Sequence, residues 1–481
     1  MNKEKVALFV CLILLIHCQN ADSTQVLERK IIAEKVTDCD MHQMRLILND
    51  SDNVLITMDK LLYINNNLIR IGTLTMYDDN DNMTKIKGID EFCCALLDGF
   101  VKDNQFYVAS WDVNTVNIYK VQKDVELISR IKRIEFEISP NYEKVITIPN
   151  QEDSYYFFGH YETLPLNPIE LVRTIRGFGE GVYYFKPFLA EVQGDKIIRR
   201  IKLPCGENVD ESYMVQEAIG GKDSVHLLGF RNVDVPFIGK WGPIKLVYPS
   251  GYGLKQSNFD GGNYYRDRDI TQSIILHYSD YNLKKGKNTR NCKIYENTPG
   301  YNENTDTYCD YGVLSADTKD DDVFAVFSWV EWRRHHAGST MVKYQGLQHK
   351  EGFSLNDVNS SIYYWQCSDK SYGKAEKIAE GFCPLVRVDL LGNVHVFWLN
   401  RSGNIVQKVK RDGKWSNENV ILTGVSTKPI IYTKGCSVKD KDRPEAILYT
   451  KFFAAEFDKD NNLHAVYPTA EGVVYTKIKL E

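Results

Sequence analysis

One short pattern recurs along the chain: a polar turn rich in Asp, Asn and Gly, followed by a run of alternating or continuous apolar and aromatic residues. Seven copies reach their first apolar residue at Val54, Phe106, Tyr155, Val225, Val323, Val394 and Leu463, at intervals of 52, 49, 70, 98, 71 and 69 residues. A four-stranded propeller blade takes ~40 to 50 residues and more with extended loops, whereas leucine-rich and most helical repeats are shorter and carry a different apolar pattern. After each copy a second strand follows at hairpin distance. The clearest instance runs from Asn393 to Leu399, turns at Asn400-Arg401-Ser402-Gly403, continues to Val409 and turns again at Arg411-Asp412-Gly413.

The pattern predicts an all-β chain built as a single β-propeller of four-stranded antiparallel meanders over 25–481. Seven blades fit best, and six to eight suit the spacing. Two β-sandwiches are the competing architecture, since Val, Phe and Tyr favour any strand; seven ordered copies across the chain favour the ring. The 98-residue interval calls for an inserted loop region at about 248–308. Val26–Val36 is the expected partner for the last strand, Val473–Leu480, closing the ring and leaving no open edge.

Lys3 and Lys5 precede an apolar run from Val6 to Ile16, too short for the ~20 residues a spanning helix needs. This predicts a signal peptide over about 1–20 and a secreted protein with no membrane insertion. A net charge of −5 with interleaved signs argues against nucleic acid as a partner. Nine cysteines follow the leader, an odd number. In an oxidising compartment the expected bridges are Cys292–Cys309 and Cys367–Cys383, with Cys39 joining Cys93 or Cys94. Glycosylation sequons stand at Asn49, Asn82, Asn359 and Asn400, all in polar, turn-like surroundings.

The sixth unit, Val388-Asp389-Leu390-Leu391-Gly392-Asn393-Val394-His395-Val396-Phe397-Trp398 through Gly413-Lys414-Trp415-Ser416, resembles repeats of the sialidase-like and lectin-like propellers. The resemblance extends to Asp458–Ile478 and weakens toward the N-terminus. It implies propeller architecture and a bias toward glycan or glycoprotein binding. The early Arg-Ile-Pro type motif, the arginine triad, the Tyr/Glu nucleophile pair and the Ser-x-Asp-x-Gly-x-x-Trp boxes of sialidases are not intact here, so the resemblance does not extend to their catalysis.

Of the polar clusters, Glu331-Trp332-Arg333-Arg334-His335-His336 is the densest and follows the fifth repeated strand directly. Guanidinium forks pair with carboxylates or sulfates and indole faces stack on sugars, which suits an acidic or glycan ligand; the bland alternative is a solvated loop beside core tryptophans. Tyr265 and Arg266, in the inserted region, are candidates to reach over the same face, although alternating charges there also suit a solvated loop. His226, His395 and His464 share one repeat position. Metal binding is not expected of them, because equivalent strands of adjacent blades lie far apart and no carboxylates accompany the histidines at that position; hydrogen-bonded packing is. No cofactor motif and no hydrolase elbow are found. The leading expectation is a glycan- or glycoprotein-binding protein without catalysis, with a glycoside hydrolase on the same scaffold and a structural secreted protein as alternatives. Oligomeric state is not legible.

Overall fold

In the computed structural model, residues 25–480 are described apart from 35–38, 65–66, 78–82, 86–95, 112–114, 123, 133–140, 148–153, 164–183, 195, 204–212, 234–236, 240–241, 245–272, 298–299, 303–306, 334–357, 369–370 and 427–452. These residues form an all-β, seven-bladed propeller of antiparallel sheets without helices. Blades 1 to 6 open with the strands Cys39–Leu48, Leu96–Lys102, Asn141–Ile146, Tyr213–Gly220, Thr307–Lys319 and Phe382–Val388, and blade 7 with Ala454–Phe457. Each opening strand touches that of the next blade, and the seventh touches the first, so these strands encircle the axis.

The recurring segment is the second strand of every blade, beginning at Val54, Gln105, Tyr155, Ser224, Asp322, Val394 and Asn462. Its continuous apolar character has a simple cause. Successive side chains of a strand point to opposite faces, and both faces of a blade's second strand are covered by neighbouring blades. In blade 3, Tyr155 and Phe157 pack toward blade 2 while Tyr156 and Phe158 pack toward blade 4. In blade 6, Phe397 and Leu399 face blade 7, and Val394, Val396 and Trp398 face blade 5. The core is accordingly divided among the seven seams between blades.

The N-terminal strand, Gln25–Glu34, pairs antiparallel with the C-terminal strand, Gly472–Lys479, from Gln25↔Lys479 to Glu34↔Gly472. It supplies the outer strand of blade 7, as the sequence predicts, and satisfies an edge that would otherwise be an open template for pairing. The expected insertion at 248–308 is corrected by two strands inside it. Ser273–Asn282 and Lys287–Asn297 are the third and fourth strands of blade 4. The extra length lies instead between Val233 and Ser273, where a small hairpin pairs Phe237–Gly239 with Gly242–Ile244.

The two ends of the ring differ. Antiparallel alternation puts the first-to-second and third-to-fourth turns at one end, where the connections are short. One turn geometry recurs there. The side-chain oxygen of Asn49, Asp389 or Asp458 accepts the backbone N–H four residues on, at 2.9, 2.8 and 2.7 Å respectively. The residue before that N–H (Asp52, Gly392 or Asn461) takes a left-handed φ of 58°, 87° or 63°, where Gly, Asn and Asp are tolerated best. These turns also latch neighbouring blades together. Lys319 Nζ donates to the Leu390 carbonyl, Asn461 Nδ2 to Asp389 Oδ2, Lys459 N to Asp52 Oδ1, and Asn49 Nδ2 to the Asn104 carbonyl, which links blade 5 through 6, 7 and 1 to 2.

Candidate functional site

The other end carries the length. The connections 164–183, 234–272, 334–357 and 423–453 all leave their strands there, three of them between second and third strands and one between blades 6 and 7. The predicted cluster belongs to this end. Trp332 and Arg333 are the last residues of the second strand of blade 5, Asp322–Arg333, and Trp332 stands opposite Tyr308 and Val358 in the ladder. Glu331 is half-buried and its Oε1 accepts a hydrogen bond from Trp329 Nε1 at 3.1 Å. Trp329 itself belongs to the seam between blades 4 and 5. Arg334, His335 and His336, and likewise Tyr265 and Arg266, lie outside the described residues.

The same end holds two of the sequons. Asn359 is exposed opposite Glu331, and its Oδ1 accepts a hydrogen bond from Arg401 Nη2 at 3.3 Å. Asn400, next to Arg401, uses its side-chain oxygen to close its own turn, accepting from the backbone N–H groups of Ser402 and Asn404 at 2.9 and 3.0 Å. Asn49 is on the opposite, latched end, and Asn82 lies outside the described residues.

Charged side chains on the opening strands surround the axis. Arg45 of blade 1 forms an ion pair with the buried Asp98 of blade 2, whose other oxygen accepts the Val145 N–H of blade 3 at 2.6 Å. Arg387 of blade 6 pairs with Glu456 of blade 7 at 2.7 Å and donates to the Ala455 carbonyl at the same distance. Glu217 is buried on the opening strand of blade 4. Each of the two arginines is matched by a carboxylate from the next blade, so the ring of opening strands is tied electrostatically as well as by packing.

The repeated histidines are buried, and here the sequence expectation needs correcting: carboxylates do accompany them. His395 Nε2 lies 3.1 Å from Asp389 Oδ2, and His464 Nε2 lies 3.0 Å from Asp458 Oδ2. In each case the Asp is the turn residue six positions earlier. A carboxylate only accepts, so Nε2 carries the proton, leaving Nδ1 to accept from Gln407 Nε2 at 2.6 Å or Tyr475 Oη at 2.8 Å. In blade 4 the carboxylate comes from the third strand instead, with Asp280 Oδ1 3.2 Å from His226 Nδ1. The missed signal is Asp-x-x-x-Asn-x-His, present at Asp389–His395 and again at Asp458–His464. These sets fasten the short-turn end, and among the described residues no group of His, Cys, Asp or Glu is arranged to hold a metal ion.

Burial opposes ionisation of Asp280, Asp389 and Asp458, yet hydrogen bonds from the histidines and their neighbours outweigh it and hold all three well below the usual carboxylate range. Burial pushes the His395 imidazole below its ordinary value, with Asp389 opposing in part. A base whose folded pKa is depressed gives stability that is fully present above the unfolded value near 6.5 and lost as the pH falls below it. The unfolding free energy from urea titration is therefore expected to drop between pH 7.5 and 5.5, by at most about 1.4 kcal/mol per pH unit from this group. A His395→Gln variant is expected to show a shallower slope over the same interval; an unchanged slope would exclude His395 as its source.

In the structure Cys292 and Cys367 carry free thiols. Cys309 faces Glu331 across the ladder at the long-connection end, whereas Cys292 stands mid-strand opposite Tyr278. Cys367 ends the third strand of blade 5 at the short-turn end, and Cys383 begins blade 6 at the other, with a returning strand, Glu376–Glu380, between them. Cys39 lies in the opening strand of blade 1, and Cys93 lies outside the described residues.

No protein-family model matches the chain, and no curated protein matches it significantly. Among solved structures, an α-L-arabinanase from Penicillium chrysogenum complexed with arabinobiose is 9% identical, covering 95% of this chain and 98% of its own, with a TM-score of 0.41. An α-L-arabinofuranosidase from Fusarium graminearum with an iminosugar inhibitor is 8% identical, covering 95% and 98%, at 0.40. A protein of unknown function from Dyadobacter fermentans is 9% identical, covering 95% and 99%, at 0.43.

Proposed function

We propose that this chain is a secreted binding protein that captures an acidic glycan or glycoprotein with the connections at one end of its propeller. The observation that carries this is the asymmetry of the ring. One end is sealed by short turns hydrogen-bonded from blade to blade, and all four of the longest connections leave from the other. A rigid scaffold presenting variable loops at one end is a common arrangement for recognition. Trp332 and Arg333 end the strand from which one of these connections leaves, and an indole and a guanidinium are residue types suited to an acidic sugar. The leader, with its lysines and short apolar run, supports secretion.

The test is a glycan array probed with the full mature chain, followed by titration of the best ligand. Trp332→Ala and Arg333→Ala are each expected to weaken binding tenfold or more with an unchanged circular dichroism spectrum. Unaltered affinity in both variants, or an array without a ligand, would remove the proposal.

A second reading, glycoside hydrolysis, is favoured by the carboxylates on the opening strands, Asp98, Glu217 and Glu456, with Arg45 and Arg387 among them. Its mark is turnover. If the array ligand is cleaved to new reducing ends, and Glu217→Gln slows cleavage about 10²-fold or more while binding persists, hydrolysis replaces passive capture.

A further inference from the structure

The three Asn-x-Ser sequons that lie among the described residues differ in what their side-chain amides do. Glycan transfer uses the amide nitrogen, and the product needs open space around it. Asn359, near the start of the third strand of blade 5, is exposed. Its Oδ1 accepts from Arg401 Nη2 at 3.3 Å, and among the described residues its Nδ2 has no partner. Asn400 opens the turn between the second and third strands of blade 6. Its Oδ1 is occupied by the backbone N–H groups of Ser402 and Asn404, while its Nδ2 likewise has no partner there. Arg401 belongs to the second sequon and holds the asparagine of the first, so the two sites adjoin across blades 5 and 6 at the long-connection end. Asn49 is different. Its Nδ2 donates to the Asn104 carbonyl of blade 2 at 3.1 Å, and Asn104 Nδ2 donates to Oγ of Ser51, the hydroxyl of the same sequon, at 2.9 Å. Asn49 is half-buried at that junction, with Asn104 packed on both ends of the triplet.

We infer that Asn359 and Asn400 carry N-linked glycans and that Asn49 stays bare in the folded, secreted chain. The donor is a lipid-linked oligosaccharide diphosphate of the secretory pathway. The amide nitrogen attacks the anomeric carbon; the new nitrogen–carbon bond forms as the bond from that carbon to the diphosphate oxygen breaks. The lipid diphosphate leaves with the electron pair, and the proton lost from the nitrogen passes to a base, so atoms and charge balance. Each modified asparagine keeps its Oδ1 and one N–H. The turn at Asn400 and the contact from Arg401 to Asn359 therefore survive the modification. A sugar on Asn49 would have to be carried through folding into the contact between blades 1 and 2, at the expense of the latch there. A glycan on Asn359, which faces Glu331 in the ladder, borders the end of the strand that carries Trp332 and Arg333.

The inference rests on the secretion proposed above and needs no ligand. The full chain with its leader is expressed in insect cells, and the protein from the medium is digested, treated with peptide:N-glycosidase in heavy-oxygen water and mapped by mass spectrometry. The expected result is heavy-oxygen-labelled aspartate at positions 359 and 400 in most molecules, and unlabelled asparagine at 49. Ser361→Ala and Ser402→Ala are each expected to remove one glycan, seen as a step in gel mobility, while leaving the hydrogen bonds of Asn359 and Asn400 in place. Secreted protein unlabelled at 359 or 400, or labelled at 49, would overturn the inference and leave the proposed secretion standing. Retention of an unmodified chain inside the cell would overturn both.

Discussion

Replacing Asp458 by alanine is expected to destabilise the protein by about 3–5 kcal/mol, the cost of removing one partner of a buried ion pair. Asp458 is 2% exposed. Its oxygens accept from the backbone N–H groups of Asn462 and Asp460 at 2.7 and 3.0 Å, from Asn462 Nδ2 at 3.0 Å, and from His464 Nε2 at 3.0 Å. Lys477 Nζ adds a fifth contact at 3.0 Å. Alanine removes the turn's organiser, leaves a buried imidazole without its acceptor, and strands a lysine that is largely covered. Asp458→Asn keeps an acceptor for the two backbone N–H groups at Oδ1 but puts an amide NH2 where Oδ2 accepts from Asn462, His464 and Lys477, so it retains the turn, loses those three contacts and is expected to cost less than alanine. Urea unfolding followed by tryptophan fluorescence distinguishes the two. An Asp458→Ala midpoint equal to that of the parent would show that the constellation contributes nothing to stability.

Trp398→Ala is expected to cost a further amount of the same order, about 3–5 kcal/mol, through the cavity it leaves. Trp398 is fully buried in the seam between blades 5 and 6, beside Tyr364, Val386 and Val396. Its indole nitrogen is buried without a hydrogen-bond partner, so the loss is one of packing, and Trp398→Phe is expected to be milder. Gly381 lies directly against the ring: a Cβ built there would sit 2.2 Å from Trp398 Cδ1 and 2.8 Å from the Leu399 carbonyl oxygen. Gly381→Ala is therefore expected to cost about 1–3 kcal/mol by overpacking. The two changes are coupled, because removing the indole vacates the space that the added methyl needs. The double variant is expected to be less destabilised than the sum of the singles, and strict additivity would contradict this account of the contact.

Partnership across distance is the least legible feature: Cys292 packs against the seam cluster that holds Cys367 of the next blade, a neighbour 75 residues away in sequence. Lys287–Asn297 is polar and largely alternates between exposed and half-buried residues, as an outer strand of a blade does, and by composition alone it reads as loop. The Asp–His sets show the reverse case. Their spacing of six residues was visible in two copies, but its meaning depends on a turn that folds the chain back so that residue i reaches residue i+6.

What the sequence determined by itself was the architecture: strand periodicity and the doubly buried second strand are local properties repeated seven times, with turn residues in a left-handed backbone before that strand in five of the blades, and repetition at blade length leaves little choice but a ring. The N-terminal strand as closing partner followed from the same logic, since a ring with a free edge is unstable against pairing. What only the tertiary structure decided was which residues meet between blades: the seam shared by Cys292 and Cys367, the pairing of Arg45 with Asp98 and of Arg387 with Glu456, and the end from which the long connections leave. Those depend on how one blade packs on the next, and inter-blade contacts join residues far apart in the chain, where no spacing rule operates.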